Sequence, residues 1–283
     1  MDFYYINSAD QRANFYDYPY LFQEGDLLDY SHSYSVAENT NKIEYTSKSQ
    51  EKTVKLAVLP DFSLPLEQRQ RVVKQYVDEL LELLEYDVVN NQLGKLYTST
   101  GYYLECNIFA SKKSDWNAGL PFLFNQLSVV VPKPMWIKET TYSFYPQSAG
   151  PKESADIKQY PFLFPYLYGD DSRAQSFDND HFAASDFKLI AYGPFSDFYV
   201  QINDHLYQVD YELESNEYMV IDSRNKTIVM TNQYGEQTNL FQYQDFSSDV
   251  FQKISPGDNT ISYSRTFGID LTIYQERSEP AWT

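Results

Sequence analysis

The sequence predicts a mostly β protein in two parts. The first is an α+β N-terminal domain, a β-sandwich with one long helix and a hairpin arm, and the second is another β-sandwich. Three observations predict it. The chain carries 27 Tyr and 19 Phe beside only 10 Gly, and such aromatics favour half-buried pleated surfaces. Apolar residues alternate with a period of two through most of the chain, and only one stretch changes to a helical period. At 283 residues there is room for one large or two ordinary domains, each with its own core.

Residues 1–60 read as extended segments. Residues 3–6 form a short apolar run, Tyr30, His32, Tyr34 and Val36 alternate onto one face, and residues 54–59 alternate again. The polar stretch at residues 37–52 reads as a mobile loop or the tip of a long hairpin.

From Leu66 to about Tyr86 the period changes. Val73, Val77, Leu80 and Leu84 fall at spacings of four, three and four, one helical stripe flanked by Tyr76 and Leu81. Pro65 stands where a first-turn proline is tolerated, and Ser63 or Asp61 can supply a capping oxygen. A helix of that span is roughly 30 Å long, enough to cover one face of a sheet. Its polar face is ordinary Gln, Arg, Lys and Glu, which reads as solvated.

Strands follow at residues 95–97, 102–110 and 123–131, the last ended by Pro132 and Pro134. Strands, a hairpin, one helix and three more strands describe a helix packed on an antiparallel sandwich. The first domain is accordingly 1–144 and the second 145–283, the latter opening with an extended connector at 145–183 that is rich in Pro, Gly, Ser and acidic residues. Within it the aromatic run 160–168 reads as an edge strand whose prolines block further pairing.

From Asp186 onward the pattern is β. Tyr207, Val209, Tyr211 and Leu213 alternate with Gln208, Asp210 and Glu212, and Ile269, Leu271 and Ile273 do the same against Asp270 and Thr272. Turn residues fall at 196–197, 203–204, 224–225, 234–235 and 256–258, so several short strands, each with one polar face, describe a sandwich.

Composition removes several function classes. No run of apolar residues nears the length of a membrane helix, and no charged-then-apolar N-terminus resembles a secretory signal. One cysteine allows no intramolecular disulfide. A net charge of −18 opposes nucleic-acid binding, which needs Lys and Arg against phosphates. The same charge suits a pore that repels a duplex and lets it pass.

Catalytic signatures are missing: no GxSxG elbow, no GxxxxGK[ST] loop, no HExxH and no paired CxxC. Neither a cofactor nor a metal is expected. His32, His181 and His205 are scattered and read as strand or turn residues. Cys106, alternating with Leu104 and Ile108, reads as a core thiol. Asp170, Asp171, Asp178 and Asp180 offer hard oxygens but lack the glycine and bidentate glutamate of a calcium loop, so solvated carboxylates are expected. Trp136 reads as a sandwich anchor, and Trp282 as the mark of a docked tail. Trp116, in a loop between strands, is either an interface anchor or packed over its own loop. With the small basic pair Lys112 and Lys113 it forms the candidate oligomer or partner interface.

The stretch 94–144, with GKLYTSTGYYLECNIFASKKSDW and LSVVVPKPMWIKETTYSF, resembles the N-terminal half of distal tail proteins, baseplate hub subunits of long-tailed phages of Gram-positive bacteria. The pieces YGP (192–194), MVIDSRNKTIV (219–229) and ERSEPAW (276–282) continue the resemblance in the family's order. The resemblance implies a galectin-like second sandwich and a ring of six copies at the distal end of the tail tube. It implies as partners the tail tube protein, the tape measure and tail-tip or host-binding proteins, with DNA passing through unbound. It also implies manufacture in the host cytoplasm and residence in the virion. Two other readings stand beside it. One is a carbohydrate-binding adhesin that grips cell-wall sugar through its aromatics; the other is a cell-wall hydrolase with two facing carboxylates.

Overall fold

Residues 1–37, 42–46, 48–114, 120–146 and 174–282 are described by the computed structural model. They are mostly strand, with one long helix. The chain divides into two compact units, residues 1–138 with 276–283, and residues 139–275. The sequence had suggested one boundary, near 144; the last eight residues instead return to the first unit.

In chain order the first segment holds β1 (Phe3–Ile6), β2 (Arg12–Asn14), β3 (Tyr16–Asp17), β4 (Tyr20–Gly25), β5 (Ser33–Ala37), β6 (Lys42–Thr46) and β7 (Gln50–Val58). Helix α1 (Leu66–Asn90) follows, then β8 (Gly94–Thr98), β9 (Tyr103–Ser114), β10 (Leu123–Val131) and β11 (Trp136–Phe144). Strands β3, β4, β7, β10 and β9 pair in that order, all antiparallel. Strand β9 is shared: residues 103–106 pair with β8, which pairs with β1, while residues 107–114 pair with β10. The β10 register shifts between Ser128 and Val129, leaving Phe109 unpaired and exposed, as an extra bulge residue requires.

The helical stripe is as the spacing demands: Val73, Val77, Leu80 and Leu84 are buried, with Tyr76 and Leu81 packed at their flanks. Each such side chain contributes about 1.5–3 kcal/mol on full burial. The core beneath contains Leu56, Leu104, Cys106, Leu127 and Trp136. Two terminal details differ from expectation. The helix runs on to Asn90, because Asp87, polar in the sequence, is fully buried there. Neither Ser63 nor Asp61 caps its start: Asp61 instead accepts from the Ser63 amide (2.9 Å) and hydroxyl (2.6 Å), and Pro65 is the cap residue. Asn91, at φ 56°, closes the far end in the left-handed conformation.

The second unit holds β12 (Ala174–Asn179), β13 (Asp186–Tyr192), β14 (Phe198–Ile202), β15 (His205–Val209), β16 (Tyr218–Asp222), β17 (Thr227–Thr231), β18 (Gln237–Asn239), β19 (Gly257–Tyr263) and β20 (Gly268–Arg277). One sheet runs β18-β17-β16-β13-β20 and continues into β11; the other runs β12-β19-β14-β15. Leu189, Ile221, Leu271 and Ile273 of the first sheet share one core with Val200, Tyr207, Val209 and Ile261 of the second, which makes a β-sandwich. The mostly β class with one long helix therefore stands.

Three strand boundaries correct the sequence reading. Strand β12 lies inside the expected connector and pairs with β19. The alternation at 207–213 is not one strand: β15 stops at Val209, the Asp210 amide donates to the Tyr243 carbonyl (2.7 Å), and Leu213 pairs back with Phe195. The pattern persists because Tyr211 packs on the core and Leu213 is buried in it. Gly257 and Asp258 begin β19 rather than making a turn. The run at 160–168 lies outside the described residues.

Candidate assembly surfaces

The hairpin β5–β6 forms a two-stranded sheet of its own, with Tyr34 opposite Tyr45 and Val36 opposite Ile43. This is the hairpin alternative of the sequence reading, and its tip, 38–41, lies outside the described residues. Tyr34 is 72% exposed and Ile43 69%. A lone two-stranded ribbon is marginal in water, and one bearing apolar side chains gains from being covered. Its base is firmly held. His32 Nε2 lies 2.9 Å from Ser278 Oγ, and Gln50 donates to the Ser31 carbonyl at 2.6 Å. The buried Lys52 donates to the backbone carbonyls of Asp26 and Asp29. Burial pushes the Lys52 ammonium pKa down, while the Asp26 and Asp29 carboxylates oppose the shift.

Beside the arm's base lies a cavity of about 610 Å³, floored by Phe3, Phe22, Leu27 and Leu28 and rimmed by Tyr30 and Trp282. Trp282 does not anchor the tail as expected: it is 65% exposed and donates to Glu279 at 2.7 Å. Docking comes from its neighbours. Pro280 is buried, Ala281 packs on the first core, and Lys133 Nζ reaches both Glu276 oxygens at 2.7 and 2.8 Å.

The basic pair lies on β9. Lys112 is exposed opposite Gln126. Lys113 is half-buried and donates to Ser111 Oγ (2.6 Å), which donates to the buried Asn125 (2.7 Å). Burial lowers the Lys113 pKa against the pull of Asp78 and Glu85 on α1. Lys113 thus takes part in an internal network, which the pairing of two lysines in sequence did not signal. Trp116 lies outside the described residues.

The chemistry-bearing residues are dispersed. His181 is buried with its Nδ1 3.1 Å from the Ala183 carbonyl and 3.3 Å from the buried Ser185 hydroxyl. His205 Nε2 meets the Asp249 carbonyl at 2.8 Å. Asn179 is buried and ties β12 to the 254–255 carbonyls, so the 178–180 cluster is a structural junction. Cys106 is fully buried, and desolvation pushes its thiol up. Asp170 and Asp171 lie outside the described residues; among the described ones no three His, Cys, Asp or Glu gather as metal ligands, and no helix is long and apolar enough to cross a membrane.

No family model and no curated protein matches the chain. Solved structures do. The Dit protein (gp 19.1) of SPP1, a paradigm of the hub adsorption apparatus in phages infecting Gram-positive bacteria, aligns over 97% of this chain and 99% of its own, with TM-score 0.58 and 12% identity. The chain shares the fold of the SPP1 Dit hub protein. The phage P2 baseplate, in its activated conformation with calcium, aligns over 99% of this chain and 100% of that one at TM-score 0.56 and 15% identity. The same baseplate with strontium gives the same figures. The likeness to the hub fold runs through both units, since the aligned span leaves out almost none of the chain.

Proposed function

We propose that this protein is a structural hub subunit of a long-tailed phage, residing in the virion at the distal end of the tail tube. Copies of the chain close into a ring, six in number, that joins the tube to the baseplate and host-recognition apparatus. The supporting observation is the shared fold with the SPP1 hub protein over 97% of this chain and 99% of that one. A closed ring needs heterologous contacts, one patch meeting a different patch on the next copy. The β5–β6 arm with exposed Tyr34 and Ile43 is suited to reach a neighbour, and Lys112, Lys113 and Trp116 are further interface candidates.

The tail tube protein, the tape measure and host-binding proteins are the partners of this reading. DNA passes through the channel without specific contact, because a chain of net charge −18 repels a duplex. The role is structural rather than enzymatic. Gold-labelled antibody against the chain, applied to phage particles that carry it, tests the placement in electron micrographs. Label at the tail's distal end is expected; label on the head or along the tube contradicts the proposal.

A further inference from the structure

The second unit carries a groove of about 490 Å³. Its floor is Phe144, Phe267 and Ile269, all buried, and two tyrosines stand at its sides, Tyr145 at 77% exposure and Tyr192 at 42%. Gly268 lies among Pro146, Phe144 and Tyr192, which a Cβ there would meet in ordinary contact at 3.6–3.7 Å.

Among the described lining residues the one charged side chain is Asp270, and both of its carboxylate oxygens are engaged. Ser143 Oγ donates to Oδ1 at 2.6 Å and Tyr192 Oη to Oδ2 at 2.7 Å. The Asp270 bond is the largest reason why the Tyr192 hydroxyl is pushed up to about 12, with burial next. The hydroxyl protons of Ser143 and Tyr192 are thus committed inward. What these three side chains turn toward a ligand is lone pairs: on two hydroxyl oxygens and on the carboxylate. A ligand that engages these three side chains must therefore bring donors.

Among the described residues of the lining an anionic ligand finds no cation. An ammonium ligand finds a carboxylate already shared by two hydroxyls. A neutral sugar brings many O–H donors on one edge and an apolar C–H face for a tyrosine ring. The volume lies in the range of small-ligand sites, about 300–1,000 Å³.

The geometry points to a binding site for neutral saccharide in this groove, with Tyr145 and Tyr192 as stacking surfaces and Asp270, fixed by Ser143 and Tyr192, as the acceptor of sugar hydroxyls. The site does not depend on ring formation and stands apart from the hub reading.

The test is binding of the full chain to an immobilised array of neutral, acidic and amino-sugar oligosaccharides, repeated with Tyr145→Ala and Asp270→Asn. Tyr145 is exposed, so its truncation leaves the fold intact, and a thermal melt of each variant verifies this. Saturable binding confined to neutral glycans is expected, weakened about tenfold or more in Tyr145→Ala, the loss of one stacking surface. Asp270→Asn is expected to weaken it as well, through loss of the charged acceptor. The proposal is overturned if no neutral glycan binds, if only charged glycans bind, or if Tyr145→Ala binds as tightly as the parent.

Discussion

Tyr5 donates its hydroxyl proton to Asp87 across 2.5 Å, joining β1 to the last turn of α1 in a fully buried junction. The other Asp87 oxygen accepts the Ser8 amide at 2.8 Å. Gly94 completes the junction: a Cβ at that position would run into the Tyr5 hydroxyl and the Asp87 carboxylate. Removing the carboxylate leaves the buried Tyr5 hydroxyl and the part-buried Ser8 amide without their acceptor, so Asp87→Ala is expected to cost roughly 3 kcal/mol. Gly94→Ala forces the same groups apart, at about 1–3 kcal/mol. Urea unfolding of both variants measures this; midpoints equal to the parent's would refute the junction's role.

Alkaline stability follows from the tyrosines. Burial raises the Tyr5 and Tyr207 hydroxyls and brings Tyr20 to about 12. The folded chain therefore holds these protons to higher pH than the unfolded chain, whose tyrosines ionise near 10. That contribution is complete below about pH 10 and is lost as pH rises toward the folded values. Lys52 has the opposite sign: its folded pKa is lowered, so rising pH removes an unfavourable charge as it passes from the folded toward the unfolded value. Melting temperature is expected to fall steeply only above about pH 10. A steep fall beginning near neutrality would contradict the assignment.

The tail is docked by Pro280, Ala281 and the Glu276–Lys133 pair rather than by its tryptophan. Trp282→Ala is expected to change stability by no more than about 0.5 kcal/mol. Truncation after Gln275 uncovers part of the first core and should cost about 1–2 kcal/mol. Calorimetric melts of the two variants distinguish them, and a larger effect from Trp282→Ala than from truncation reverses the argument.

Cys106 is enclosed and its thiol is pushed up by burial. Ellman's reagent should leave the native chain unmodified and react with one thiol per chain after denaturation. Rapid reaction under native conditions would place the thiol at the surface.

Much of this fold was legible because burial follows period. The stripe Val73, Val77, Leu80 and Leu84 and the alternation Ile269, Leu271, Ile273 each identify a face that is indeed buried. The misreadings share a cause: local pattern does not say which distant backbone completes it. Tyr211 and Leu213 keep an alternating look while Asp210 turns away to Tyr243. Asp87 looked like a helix end, although a tyrosine 82 positions away makes it a core residue. Trp282 looked like an anchor, but smaller neighbours do the docking. The arm was legible only as the alternation of Tyr34 and Val36, both of which are exposed.

The arm offers a direct handle on assembly. Tyr34→Asp with Ile43→Asp places charge on two exposed positions without touching a core. The double variant should melt like the parent yet lose the larger oligomer in sedimentation. Unchanged sedimentation would remove the arm from the interface.

The central claim is a closed ring, and native mass spectrometry of the purified full-length chain across a concentration series tests it most directly. A discrete six-copy species, alone or as paired rings, is the predicted result. A strict monomer at every concentration, or an open ladder of sizes with no preferred closure, would contradict it.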